Sequence, residues 1–277
     1  MPHDEDAVTV LDYLVRELPD DPWVEMMAEG QVVDEKSRPW HADSRYAAGR
    51  FVHFHRTPAP EVSVPFPLEI LHDDGGIVVV DKPHFLATIP RGMHVTETAT
   101  VRLRRLLDCS DVAPAHRLDR ATAGVLIFTR SKQLRRPYQE LFASRSVLKE
   151  YEAVAAFDAS LDFPRVVRSR IVKEHGVMVA REEPGEPNSE TRIELIDRTG
   201  KWARYRLFPH TGRTHQLRIH MSSSGIPIKG DPYYPTFTRT PADDFDNPLQ
   251  LLARAIEFDD PITGERRRFE SRRTLVG

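Results

Sequence analysis

The chain has 277 residues, of which 40% are hydrophobic and 29% charged, with a formal net charge of −3. That is the composition of a globular protein with one large domain or a small and a medium one, and no apolar run approaches the roughly 20 residues of a membrane span. The lone cysteine, Cys109, excludes an internal disulfide and a cysteine-rich metal site. The acidic start MPHDEDAV lacks a signal-peptide pattern, so the expected location is the cytoplasm.

Residues 8–18, VTVLDYLVREL, place Val8, Leu11, Leu14, Val15 and Leu18 on one helical face that Pro19 ends. Asp21 as cap and Pro22 in the first turn predict a second helix, stopping at Gly30. QVVD and RFVHFH read as short strands, with YAAG as the turn before the latter. TPAPEVSVPFP holds four prolines in 11 residues and reads as an extended linker. The expected division is a small N-terminal domain over 1–57, a linker over 58–67 and a larger domain over 68–277.

Beyond the linker, GIVVVDKP is a buried strand ended by proline, and ATVRLRRLL is a short basic helix. The segment HRLDRATAGVLIFTR, 116–130, puts Val125, Leu126, Ile127 and Phe128 after Gly124, a second buried strand. SKQLRRPYQELFASRS carries Leu134, Tyr138, Leu141 and Phe142 on one helical stripe, with Ser131 as cap and Pro137 marking a kink or a later start. YEAVAAF and TRIELID are strands, RTGK is a hairpin turn, and WARYRLF alternates as a half-buried strand. TGRTHQLRIHMSSSG is a loop entering a helix that ends at Gly225. Strands and helices do not alternate strictly. An α+β class with a mixed, largely antiparallel sheet is therefore expected over a doubly wound parallel one.

Charge is unevenly spread. Residues 1–50 hold 12 acidic and 5 basic residues, a balance of −7. Residues 101–150 hold 11 basic and 5 acidic, and residues 201–240 hold 7 basic and 1 acidic, +6 each. Should the two basic windows meet in space, they form a positive field suited to a polyanion. His210, His215 and His220 recur every five residues, which leaves neighbours roughly 140° apart on a helix and unable to converge on one ion. No metal site is expected. There is no G-x-S-x-G, and no glycine run has phosphate-loop spacing.

What remains is Asp119 between Arg117 and Arg120 at the edge of a core strand. An isolated Arg-x-Asp is usually a surface ion pair of little consequence. The functional alternative is a carboxylate kept ionised by a neighbouring cation, able to act as nucleophile or base at a sugar carbon.

HRLDRATAGVLIFT resembles the catalytic motif of RNA pseudouridine synthases of the RluA type. LKEYEAV resembles the same family's K-x-Y-x-A segment, and PHTGRTHQLRIHMSSSGIPIKGDPYY resembles its third motif. IVVVDKP is similar to the opening strand and Lys-Pro turn, and FDDPITGERRRF to the closing hairpin. The likeness runs from about Leu68 to Glu270 in the family's order. It implies a pseudouridine synthase catalytic fold: a bent, mixed sheet flanked by helices, here preceded by a small α/β N-terminal domain. Residues 1–57 resemble, more faintly, the alpha-L RNA-binding fold of a small-subunit ribosomal protein and tyrosyl-tRNA synthetase, although their negative balance is wrong for gripping phosphate.

The resemblance implies roles. Asp119 is the essential carboxylate, Tyr151 stacks on the target base with its hydroxyl a candidate for removing the C5 proton, and Arg218 ion-pairs with Asp119. Arg117 enters the RNA helix as the target nucleotide flips out. Leu217 packs under the base, while Arg213, Lys149 and His116 serve the RNA backbone or support the site. Uracil is cut from C1′, turned, and rejoined through C5, with Asp119 either attacking C1′ or removing the 2′ proton. No cofactor is implied. The expected partner is a structured rRNA or tRNA stem-loop met by a monomer, with no membrane. Two other readings stay open: an RNA-binding relative with reduced catalysis, and a metal-free glycosidase, which would need a second carboxylate. The sequence departs from the family in having Thr122, Ala123 and Gly124 where many relatives have Thr-Ser-Gly, in having Leu252 where histidine is common, and in DKPHFLATIPRG.

Overall fold

A computed structural model describes residues 1–2, 6–54, 60–174, 176–241 and 243–276. It divides into two compact units, Met1–Ala59 and Pro60–Gly277. Residues 58 and 59 of the expected linker and 55–57 before it lie outside the described residues. No helix among the described residues is long and apolar enough to cross a membrane.

In the first unit, helix α1 (Val10–Glu17) starts at a capping box. Thr9 Oγ1 accepts from the Asp12 N–H, and Asp12 accepts from the Thr9 N–H, both at 3.0 Å. That start corrects the expected apolar face. Val8 falls outside the helix and Val15 is exposed, while Val10 and Leu14, one turn apart, are buried. Helix α2 (Trp23–Ala28) has Pro22 at its cap without a side-chain bond, so Asp21 is not the cap. Trp23 instead anchors the entry, its Nε1 donating to the Leu18 carbonyl at 2.7 Å. Strands β1 (Val32–Val33) and β2 (His53–Phe54) pair antiparallel beside this core.

The second unit is built on one sheet. Its strands are β3 (Glu69–Asp73), β4 (Ile77–Lys82), β5 (Ala113–Pro114), β6 (Ala123–Thr129), β7 (Leu148–Ala156), β8 (Arg165–Val172), β9 (Arg181–Glu183), β10 (Ser189–Thr199), β11 (Trp202–Pro209), β12 (Leu251–Asp259) and β13 (Arg266–Glu270). The order is β3-β4-β6-β12-β7-β11-β10-β8-β9, with β5 added on β6 and β13 on β12. Of these strand pairings, only β6 with β12 is parallel. The architecture is the mixed, largely antiparallel α+β sheet that the sequence suggests.

The run Val125–Phe128 is apolar throughout because both faces of β6 are covered. Leu126 and Phe128 join a cluster closed by helix α3 (Ala99–Leu107), through Ala99 and Leu103. Val125 and Ile127 join another, closed by helix α4 (Lys132–Ala143) through Leu134, Tyr138 and Leu141. Helix α4 runs through Pro137, so the helix does not wait for the proline, and Ser131 sits at the cap without a side-chain bond. Gly124 takes φ +113°, and a β-carbon there would fall 2.2 Å from the Ala253 carbonyl oxygen on β12. Only glycine lets the two parallel strands meet at this point. Helix α5 (Gln216–Ser223) buries every residue from Gln216 to Met221.

Candidate active site

Asp119 lies in the loop between β5 and β6, and that loop is held from behind by the end of β4 and the segment after it. Lys82 Nζ, with no exposed surface, donates to the carbonyls of Pro83, Leu86 and Arg120 at 2.9, 2.7 and 3.3 Å. His84 Nδ1 donates to the Ala121 carbonyl at 2.8 Å. Thr88 Oγ1 donates to the Leu118 carbonyl at 2.7 Å and accepts from the Leu118 N–H at 3.1 Å. Burial pushes the Lys82 ammonium down to about 7, opposed by the charge of Asp119. The loop on either side of Asp119 is thus fixed by three side chains, while a third of the Asp119 side chain stays exposed.

In front of Asp119 is a cavity of about 110 Å³ lined by Arg117, Tyr151, Lys149, Arg213, Leu217 and Arg218, among others. Seven of the eight residues singled out in the sequence line it. The eighth, His116, faces only a larger adjoining cleft of about 1030 Å³. The His116 ring stacks on Phe142, with centroids 4.3 Å apart, and its Nε2 accepts from the Ile127 N–H at 3.2 Å. Burial lowers its pKa to about 3, so the ring is neutral and offers a phosphate no charge.

Tyr151 sits on β7, opposite Leu207 of β11 and Ala253 of β12, and packs against two core clusters. Burial, helped by Asp119, holds its phenol well above the usual range, so it is un-ionised. Leu217 is 7% exposed and forms part of the floor. Lys149 Nζ donates to the Thr211 carbonyl at 3.1 Å, and burial lowers it to about 8. The Arg213 N–H donates to Gln216 Oε1 at 3.0 Å, and its Nε to the Asn188 carbonyl at 3.3 Å. Arg117 is exposed at the mouth.

Arg218 meets Asp119, but loosely. Its Nη1 is 3.7 Å from Asp119 Oδ2, whereas Nε and Nη2 grip Asp231 at 2.8 and 2.5 Å. The expected ion pair is therefore a secondary contact of a guanidinium whose main partner the sequence reading missed. The sequence places GDPYY at the end of the third motif and denies it phosphate-loop spacing, but gives its aspartate no partner.

His215 was also missed as a site residue. It caps α5 in the left-handed region, φ +58°, and its Nε2 lies 4.0 Å from Asp119 Oδ2. The Tyr234 hydroxyl donates its one proton to the Ala180 carbonyl at 2.6 Å. The 2.9 Å contact between that hydroxyl and His215 Nδ1 must then be donated by the imidazole. In the neutral ring Nε2 is left as an acceptor facing Asp119. Burial lowers the His215 pKa against the pull of Asp119, which favours that neutral form.

The larger cleft adds Arg91, Arg120, Arg145, Lys173 and His94 to one continuous wall. The two basic windows of the sequence therefore converge here, on β7, the loop before β6, and the loop before α5. Among the described residues, no three His, Cys, Asp or Glu side chains are grouped to hold a metal ion.

Comparison with known proteins gives one answer. The RNA pseudouridylate synthase family matches residues 76–223. The dual-specificity RNA pseudouridine synthase RluA of Haemophilus influenzae is 31% identical over 208 residues, 74% of this chain and 93% of that protein. Ribosomal large subunit pseudouridine synthase D of Pseudomonas aeruginosa is 30% identical over 224 residues, 74% of this chain and 68% of that protein. Among solved structures, human RNA pseudouridylate synthase domain containing 4 superposes with a TM-score of 0.58 at 26% identity, covering 75% of this chain and 88% of that one.

Proposed function

The chain belongs to the RNA pseudouridylate synthase family and isomerises uridine to pseudouridine in RNA, and on that premise we propose that Asp119 is the reacting carboxylate, with Tyr151 and Arg218 as its partners. One observation carries the assignment: segments around 119, 151 and 218, far apart in sequence, line a single cavity whose floor is apolar and whose rim is cationic. Asp119 either attacks C1′ or takes the 2′ proton, and both routes need it ionised. Arg218, 3.7 Å from Asp119, and the buried Lys82 place positive charge beside it. Tyr151 and Leu217 present flat and apolar surface to the freed uracil and keep water from it. The N1–C1′ bond breaks and a C5–C1′ bond forms, with the C5 proton released and N1 taking up a proton. Every heavy atom is conserved, and no cosubstrate is consumed.

The substrate is a structured RNA stem-loop, ribosomal or transfer RNA, from which the target nucleotide flips into the cavity while Arg117 at the mouth fills the gap it leaves. Arg213 and Lys149 hold the flanking backbone. One chain builds the whole cavity, which supports action as a monomer. Replacing Asp119→Asn tests the assignment. The variant should fold and bind RNA but form no pseudouridine in a tritium-release assay on total cellular RNA. Turnover at the wild-type rate would refute it.

A further inference from the structure

The proline-rich segment that opens the second unit is stitched to the wall of the larger cleft. Glu61 Oε1 accepts the N–H groups of Val95 and Thr96 at 2.9 and 2.6 Å and the Thr96 hydroxyl at 2.9 Å, while Oε2 accepts the Glu97 N–H at 3.0 Å. Three successive amides converge on one carboxylate, and against the cost of desolvation these bonds hold its pKa down at about 2. A return bond comes from Glu97, whose Oε2 accepts the Val64 N–H at 3.0 Å and pairs with Arg102 of α3. Arg102 also donates to the Val64 and Phe66 carbonyls at 2.6 and 2.7 Å. Val64 is buried in the cluster under α3, and Phe66 packs against it. The strap of residues 61–66 is therefore held by the core, and Glu61 is the arm it extends to residues 95–97.

That arm supports a turn. Residues 91–94 close on themselves, the Arg91 N–H donating to the His94 carbonyl at 2.7 Å and the His94 N–H to the Arg91 carbonyl at 3.2 Å, with Gly92 at φ +58°. Met93 at the tip is 80% exposed, and Arg91, Gly92 and His94 line the cleft. Among the described residues, no hydrogen bond or ion pair ties 91–94 to the chain outside the turn. We propose that Glu61 is a positioning residue for RNA recognition: it fixes the Arg91–His94 turn as a standing lip on the cleft, so that Arg91 and His94 meet the RNA backbone already in place. The proposal rests on the reading of the cleft as the RNA site. Burial, and then the Arg120 charge, lower the His94 pKa against the pull of Glu61, so at neutral pH His94 offers a phosphate an N–H while Arg91 supplies the charge. A free carboxylate at this edge would repel phosphate, but the charge of Glu61 is engaged by four donors of the chain itself. A lip ordered during folding takes no ordering entropy from the RNA complex.

Glu61→Ala removes the arm and leaves the side chains of the cleft in place. The Kd for a stem-loop RNA with a uridine-rich loop, measured by filter binding, should rise about fivefold or more, while the maximal rate at saturating RNA in the tritium-release assay moves less than about twofold. Arg91→Ala in the wild-type background should raise Kd about threefold or more, and in the Glu61→Ala background less than about 1.5-fold, because a loosened lip has already lost what Arg91 gives. A merely structural role for Glu61 would lower the urea midpoint and leave Kd unmoved. That outcome, two Kd losses that multiply, or a rate loss as large as the binding loss would overturn the proposal.

Circular dichroism melts establish that each variant folds. Were Glu61→Ala unable to fold, Glu61→Gln carries the same cycle, since its amide oxygen can keep the bonds of Oε1 while its NH2 group cannot accept from the Glu97 N–H. Its rise in Kd should be smaller and still fail to multiply with that of Arg91→Ala; a multiplying pair overturns the proposal here too. The premise fails separately. If Arg117→Ala, Lys149→Ala and Arg213→Ala together leave Kd unchanged, the cleft does not hold RNA, whereas weakened binding there beside a multiplying Glu61–Arg91 cycle removes only the role of the lip.

Discussion

Replacing Gly124 by alanine should damage the second unit far more than its one added methyl suggests. At φ +113° an L side chain costs about 1–3 kcal/mol in backbone strain alone. The new β-carbon would also sit 2.2 Å from the Ala253 carbonyl oxygen and 2.7 Å from the Ala253 nitrogen. Ordinary non-bonded carbon contacts begin near ~3.5 Å, so β6 and β12 must part by more than about an ångström. Their parallel contact consists of two residue pairs, Ala123 with Leu252 and Gly124 with Ala253. Losing its ladder bonds adds about 0.5–1.5 kcal/mol each. The total is about 3–5 kcal/mol, which at an m-value of about 2 kcal/mol/M lowers the urea midpoint by about 2 M. Far-UV circular dichroism across a urea series measures it. Gly75→Ala is the control, since its φ is also positive, +82°, but nothing lies within 4 Å of the added carbon. Equal midpoint shifts in the two variants would refute the strand-contact argument and leave only strain.

Lys82 makes stability depend on pH in a way that can be isolated. Its pKa falls from the usual 10.5 to about 7 in the folded chain, so between those values the unfolded state binds the extra proton and folding gains stability as pH rises. That gain shrinks as pH falls from about 10.5 and is gone below about 7, where both states are protonated, and Lys82→Met removes the pH dependence altogether. The stability of wild type relative to the variant should rise by about 1.4 kcal/mol per unit between pH 7 and pH 9, and a difference that stays constant in paired urea titrations would contradict the burial argument. Tyr151→Phe keeps the ring but removes the hydroxyl. Turnover should fall about 100-fold or more with RNA binding nearly unchanged, and wild-type turnover would show the hydroxyl to be idle. Because Arg91, Arg117, Arg120, Arg145, Lys149, Lys173 and Arg213 share one cleft, log affinity for RNA should fall steeply and linearly with log salt. A flat response in filter binding would mean that this wall does not meet phosphate.

The elements that sequence alone exposed are those with complete burial on one or both faces. ATVRLRRLL became α3 with its ends where the pattern put them, and GIVVVDKP became β4, whose six residues are all buried. β8 went unread because its residue types do not follow its alternating burial: Val166 faces out while Arg165 and Ser169 are on the less exposed side. The face of α1 was misjudged because the periodicity fits several phases, and the Thr9–Asp12 box selects one. In the site, Asp119 stood out through its setting between cations and an apolar strand. Asp231 and His215 did not, because their meaning depends on which partner a turn delivers. Nothing in GDPYY says that its carboxylate will reach back to residue 218, and nothing in RTHQ says that Tyr234 will fix one imidazole tautomer.

The anchors behind the Asp119 loop are all made to its main chain. Lys82, His84 and Thr88 hold the carbonyls of residues 120, 121 and 118, and none of them depends on what side chains those positions carry. The entropy of ordering the loop is therefore settled when the chain folds, and no share of RNA affinity is diverted to it. Outward-facing side chains, Arg117 among them, are then free to change without loosening the backbone that carries the carboxylate.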